Sequence, residues 1–109
     1  MSPWGKIDQV TKYATGFSFV GTPGHGGFRV SLRRLQKQAL NPEKIMQLGG
    51  IAMGQYVFFE EDCAYCLYLL DAPNELRLFA QYIGKNPDEL FVSCKRQVQN
   101  WFPKYFINE

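Results

Sequence analysis

Thr22-Pro23-Gly24-His25-Gly26-Gly27-Phe28-Arg29-Val30-Ser31 is the stretch on which the reading of this chain turns. It holds the single histidine, three of the ten glycines, and the boundary between a strand-like half and a helix-like half. Glycines at 24, 26 and 27 would let the backbone take positive φ, or approach another group closely, around His25. Before this stretch, Asp8 to Ala14 and Gly16 to Thr22 alternate and are rich in β-formers, and Thr15-Gly16 reads as the turn of a hairpin. Gly27 to Val30 follows as a third short strand. An antiparallel sheet is expected, with Val10, Phe17, Phe19, Phe28 and Val30 supplying its core face.

After the stretch the signals become helical. Ser31 is a natural N-cap, and nothing from Leu32 to Leu40 breaks a helix. Asn41-Pro42-Glu43 is a second start, closed at Gly49-Gly50. Ile51 to Phe58 fits a strand or irregular chain equally. From Phe59 the apolar residues Phe59, Cys63, Cys66, Leu67 and Leu70 follow a helical period, with Glu60, Glu61 and Asp62 in the first turn. Pro73 stops that helix, and Asn74 would cap the next, whose stripe is Leu76, Phe79, Ala80 and Ile83, with Gly84 beyond its end. Asn86-Pro87-Asp88-Glu89 opens the last helix, with Leu90, Phe91, Cys94, Val98 and Trp101 inward. Pro103 ends it, and Tyr105, Phe106 and Ile107 are expected to pack back on the body. The fold class is therefore α+β: a small N-terminal sheet of about three strands against three to five helices, as one domain over residues 1–109.

Composition narrows the class of protein. The chain has 109 residues, 46% hydrophobic and 16% aromatic, enough apolar surface to build a core. The longest apolar run, Cys63 to Leu70, is too short for a membrane span, and the first residues carry no apolar signal core, so a cytoplasmic protein without membrane partners is expected. Three cysteines make a poor disulfide framework. Residues 1–48 carry seven Lys/Arg against Asp8 and Glu43, a net +5, whereas residues 49–109 carry five against eight acids, a net −3. Two such halves present different charge to a partner.

Pro3-Trp4-Gly5, Ala14-x-Gly16, Thr22-x-x-His25-Gly26-Gly27-x-x-x-Ser31 and Tyr56-x-x-x-Glu60-Glu61-Asp62-Cys63, with Phe58-Phe59 before the acidic block, occur here in order. This pattern resembles a small domain of unknown function encoded by phages and plasmids, and covers roughly the first 70 residues. The resemblance implies a mobile-element accessory protein and carries over no activity. Accessory proteins of this kind include inhibitors of host defence, anti-CRISPR proteins among them.

Five constellations are candidates for chemistry. His25 beside Cys63, Glu60 or Glu61 would suit a small hydrolase or transferase; a loop-tethering histidine is the simpler reading. Cys63-x-x-Cys66 with Cys94 and His25 has the count of a zinc set, but the pair falls within a helix rather than a knuckle turn, so no metal and no cofactor is expected. The glycine loop precedes a strand, which fits neither phosphate-binding fingerprint. Lys6, Lys12, Arg29, Arg33, Arg34 and Lys37 form a basic strip, able to meet nucleic acid or an acidic protein. Glu60, Glu61 and Asp62, with Asp71 and Glu75, offer an acidic surface to a basic one. The favoured reading is a non-enzymatic protein that binds a host protein or ribonucleoprotein, such as a CRISPR effector, through His25, Arg29, Arg33, Arg34, Lys37, Glu60, Glu61 and Asp62. Nucleic-acid binding through Arg29, Arg33, Arg34 and Lys37 is the alternative beside the hydrolase. Charge reversal at Arg33 and Arg34 is then expected to weaken binding and leave unfolding unchanged. Trp4 is expected to dock on the body.

Overall fold

The computed structural model describes residues 2–38, 40, 42–61 and 64–101. The expected cap Asn41, the candidates Asp62 and Cys63, and the segment holding Pro103, Tyr105, Phe106 and Ile107 lie outside the described residues.

The architecture is α+β. Strands β1 (Gln9–Ala14), β2 (Phe17–Gly21) and β3 (Gly26–Ser31) lead into α1 (Leu32–Lys37) and α2 (Pro42–Gln47). A hairpin of β4 (Ile51–Met53) and β5 (Tyr56–Glu60) follows, then α3 (Ala64–Asp71), α4 (Pro73–Ile83) and α5 (Pro87–Trp101). The sheet has five strands in the order β1-β2-β3-β5-β4, every neighbouring pair antiparallel. Two strands more than expected come from Ile51–Glu60. Gly54, at φ 63°, and Gln55 form the two-residue turn between Met53 and Tyr56. Positive φ at the first turn position is what tight hairpins need.

That hairpin corrects the expected start of the third long helix. Phe59 and Glu60 belong to β5, and the helix begins only at Ala64. Glu60 and Glu61 therefore do not sit in a helical first turn. Phe59 is held in the strand by long-range pairing with Phe28 and by stacking on Tyr68, ring centroids 4.5 Å apart. Tertiary contact here overrides a local helical period.

Alternation along the strands sorts the side chains. Phe17, Phe28, Val30, Val57 and Phe59 face the helices and are buried with Leu35, Leu48, Leu67, Tyr68, Leu69, Leu76, Ala80, Leu90, Cys94 and Val98. Val10 pairs with Val20 on the opposite face of the edge strand and is exposed, contrary to expectation. Tyr13 replaces it: the register slips between Lys12 and Ala14, and such a bulge re-aims a side chain. Tyr13 packs against Phe17, Phe28, Phe79 and Tyr82. Phe91, Trp101 and Ile83 are also exposed; in α5 the buried stripe narrows to Leu90, Cys94 and Val98, four residues apart.

Local end signals hold. The Ser31 hydroxyl accepts the Arg34 N–H at 3.1 Å, the Asn86 side chain accepts the Asp88 N–H at 2.8 Å, and Gly84 closes α4 at φ 74°. Asn74 is not a cap: Pro73 occupies the first turn of α4 after Ala72, which makes no side-chain cap. Proline at that position lacks the N–H a cap would satisfy.

Candidate functional site

The sheet face turned away from the helices carries three of the candidate residues, His25, Arg29 and Glu60. Ser2 to Gly5 lies across it as a tight turn, its Ser2 hydroxyl donating to the Gly5 carbonyl at 2.8 Å and accepting the Trp4 N–H at 3.2 Å. Trp4 meets Phe58 edge-on at 5.7 Å and lies nearly parallel to His25 at 6.5 Å, so it docks as expected. Val20 and Phe58, on this same face, are buried.

Gly26 and Gly27 work by absence of a side chain, not by positive φ, which none of the three loop glycines adopts. A Cβ on Gly27 would stand 2.2 Å from the Phe59 carbonyl oxygen and 2.7 Å from the Trp4 ring. The expected left-handed hinge is therefore a close-packed strand. The turn before it is tied by Thr22, whose N–H and hydroxyl donate to the His25 carbonyl at 2.8 and 3.1 Å. The Thr22 hydroxyl also accepts the His25 N–H.

His25 is exposed, its Nδ1 3.5 Å from Glu60 Oε2. That separation is long for a hydrogen bond but close enough for charge to be felt. Glu61 belongs to the other face of the sheet, since its Oε2 approaches the space above Gly26 on the helix side. The structure thus unites His25 with Glu60 and parts both from Glu61. Cys66 and Cys94 are buried at the packing of α3 on α5, far from a solvent-facing role. Their mutual hydrogen bond, with burial, pushes the Cys94 thiol up. Among the described residues no group of three or more His, Cys, Asp or Glu could hold a metal ion, and no helix is long and apolar enough to cross a membrane.

The basic strip divides. Arg29 stands on the outer sheet face with its guanidinium 4.9 Å from the centre of the Tyr56 ring, and Arg33 and Lys37 are exposed on α1. Arg34 instead turns inward. Its Nε and Nη2 donate to Glu75 at 2.8 and 2.6 Å, and its Nη1 donates to the Thr15 carbonyl at 2.9 Å. Glu75, only 1% exposed, also accepts the Tyr68 hydroxyl at 2.7 Å, which in turn accepts from Gln38 at 3.0 Å. Hydrogen bonding to Glu75 raises the Arg34 pKa, opposed in part by burial. Arg34 and Glu75 are thereby corrected from surface binding residues to a buried tie between α1 and α4. Asp71 pairs with Lys44 at 3.0 Å.

The sequence reading missed a patch on the β4 side of this face. Ile51, Met53 and Tyr56 are 44%, 40% and 38% exposed, close together on the hairpin. Leu32, also exposed, opens α1 next to the hairpin turn, its N–H donating to the Gln55 carbonyl at 2.9 Å. Arg29 borders the patch through Tyr56. The signal for it was present: Gly54 flanked by Ile51, Met53 and Tyr56 is a hairpin with apolar side chains at every second place.

Over residues 1–109 the chain matches, and so belongs to, the family described as Domain of unknown function (DUF7007). No curated protein and no solved structure matches it.

Proposed function

We propose that this member of the DUF7007 family acts by binding a host protein, and that the contact is made by the outer sheet face at β4. The observation that carries this reading is the patch of Ile51, Met53 and Tyr56 bordered by Arg29. Aromatic, methionine and arginine side chains gathered on one exposed face are the composition of a protein-binding core with a charged rim. The rim is cationic, since Arg29 and the nearby α1 residues Arg33 and Lys37 all point to solvent or half-exposed space. The fitting partner surface is acidic with an apolar centre. Turnover by His25 is the weaker reading, because Cys66 and Cys94 are buried, Cys63 lies outside the described residues, and the half-buried Glu60 stands 3.5 Å from Nδ1, long for a hydrogen bond. The role as a phage or plasmid accessory protein directed at host defence, a CRISPR effector included, rests on the resemblance of the N-terminal pattern.

A photo-cross-linking residue at position 53, compared with one at Gln99 on the exposed side of α5, tests the surface in host cells. The reading expects a protein adduct from position 53 that disappears in Tyr56→Ala/Arg29→Glu, and lowered defence against a targeted plasmid only with the unmutated patch. Equal adducts from both positions, or plasmid loss unaffected by either chain, would remove it. A nucleic-acid adduct with steep salt dependence would replace it by the nucleic-acid reading.

A further inference from the structure

On the helix side of the sheet, beyond the Phe19–Phe28 pair, the next paired positions are Gly21 and Gly26. The two glycines leave that end of the sheet without side chains of its own, and the Phe19 ring leans over Gly26. What remains is a cavity of about 220 Å³ lined by Phe19, Gly27, Phe28, Glu61, Tyr65 and Phe79. Phe28 stands edge-on to Tyr65 at 5.5 Å and to Phe79 at 5.1 Å, and Tyr65 to Phe79 at 6.3 Å, so the walls meet at steep angles. Phe19 closes another side, its Cζ 2.8 Å from where a Gly26 Cβ would be, and Glu61 Oε2 lies 3.4 Å from the same point. Among the described residues no Lys, Arg or His lines the space, and none forms an ion pair with Glu61.

We infer that this cavity binds an organic cation with an alkylated ammonium head, such as a quaternary ammonium group. Aromatic walls from Phe19, Tyr65 and Phe79, with Phe28 behind them and Glu61 at the side, offer π-bearing surface and a counter-charge but few hydrogen-bond acceptors. A bare ammonium or a metal ion needs more oxygen ligands than one carboxylate supplies. An anion would meet Glu61 with no cation to offset it, and a neutral apolar group would desolvate that carboxylate without compensation. An alkylated ammonium satisfies both, since its methyl groups carry the charge and fit ring faces. The volume is below the roughly 300–1,000 Å³ of sites for drug-sized ligands, so a head group, not a whole large ligand, fits. The site is separate from the β4 patch, and neither depends on the other.

The test is titration of the intact chain with choline and, separately, with its neutral isostere in which carbon replaces the ammonium nitrogen, followed by two-dimensional NMR. Saturable shifts at Gly27, Tyr65 and Phe79 are expected, with choline bound about tenfold more tightly than the isostere. Glu61→Gln, an exposed position, should lower choline affinity about fivefold and leave the isostere unchanged. Equal affinity for choline and the isostere, no saturable shift with choline, or a choline preference untouched by Glu61→Gln would each overturn the proposal.

Discussion

Arg34 and Glu75 stand 41 residues apart in the chain and close a two-pronged ion pair, Nε to Oε2 at 2.8 Å and Nη2 to Oε1 at 2.6 Å. The carboxylate is buried and the guanidinium half-covered. Tyr68 and Thr15 complete the set of partners, so one network ties the β1–β2 turn, α1, α3 and α4. Removing one member of such a pair costs far more than the pair itself contributes, because the other charge is left in the interior.

Arg34→Ala is therefore expected to destabilise the fold by about 3 kcal/mol, whereas Arg33→Glu on the exposed face should change stability by no more than about 0.5 kcal/mol. Urea unfolding of the two variants separates them. Equal, small effects would mean that Glu75 is not relying on Arg34. Tyr68→Phe should cost about 1–3 kcal/mol by leaving Gln38 and Glu75 each a bond short, and a double-mutant cycle with Arg34 should show coupling.

The two kinds of glycine in the opening stretch should behave in opposite ways. Gly27→Ala would force a methyl against the Phe59 carbonyl and the Trp4 ring, and overpacking of this sort costs about 1–3 kcal/mol. Trp4 fluorescence should shift as the leading turn is pushed off the sheet. Gly24 has open space around its Cβ position and no positive φ, so Gly24→Ala should be neutral or stabilise by about 0.4–1 kcal/mol. A destabilised Gly24→Ala with an unaffected Gly27→Ala would contradict the packing described.

Alkaline pH should expose Tyr13. Burial first, and the neighbouring Tyr82 second, push its hydroxyl pKa up to about 12 from an ordinary value of 10.0. The folded state then holds this proton more firmly than the unfolded chain. Its stabilising effect is fully present below pH 10 and is lost as pH rises from there through about 12. Ultraviolet titration should lose one tyrosine ionising near pH 12 in Tyr13→Phe, while Tyr65 and Tyr68, pushed higher by burial, still ionise later, and that variant should have a shallower alkaline fall in stability. A Tyr13→Phe curve parallel to the unmutated one would show that the ring is not buried as described.

How much could be read in advance depended on range. Ser31, Gly16, Gly84 and Asn86-Pro87 act on backbone groups within a few residues, and each marks the boundary it was expected to mark. The α+β plan follows from them. Ile51 to Phe59 was less legible because Val57, Phe58 and Phe59 are consecutive and all buried, on both faces of the sheet, which erases the two-residue period.

Of the candidate site, residue types alone named His25, Glu60, Arg29 and Glu61, and grouped the basic residues of α1 as one strip. Only the tertiary structure decided that Arg34 turns inward, that Glu60 and Glu61 part to opposite faces, and that Gly27 makes room for Trp4. Composition and caps depend on free energies that a short segment settles alone. An ion pair across 41 residues, or a ring over a glycine two strands' pairing away, exists only once the sheet register has brought distant backbone together.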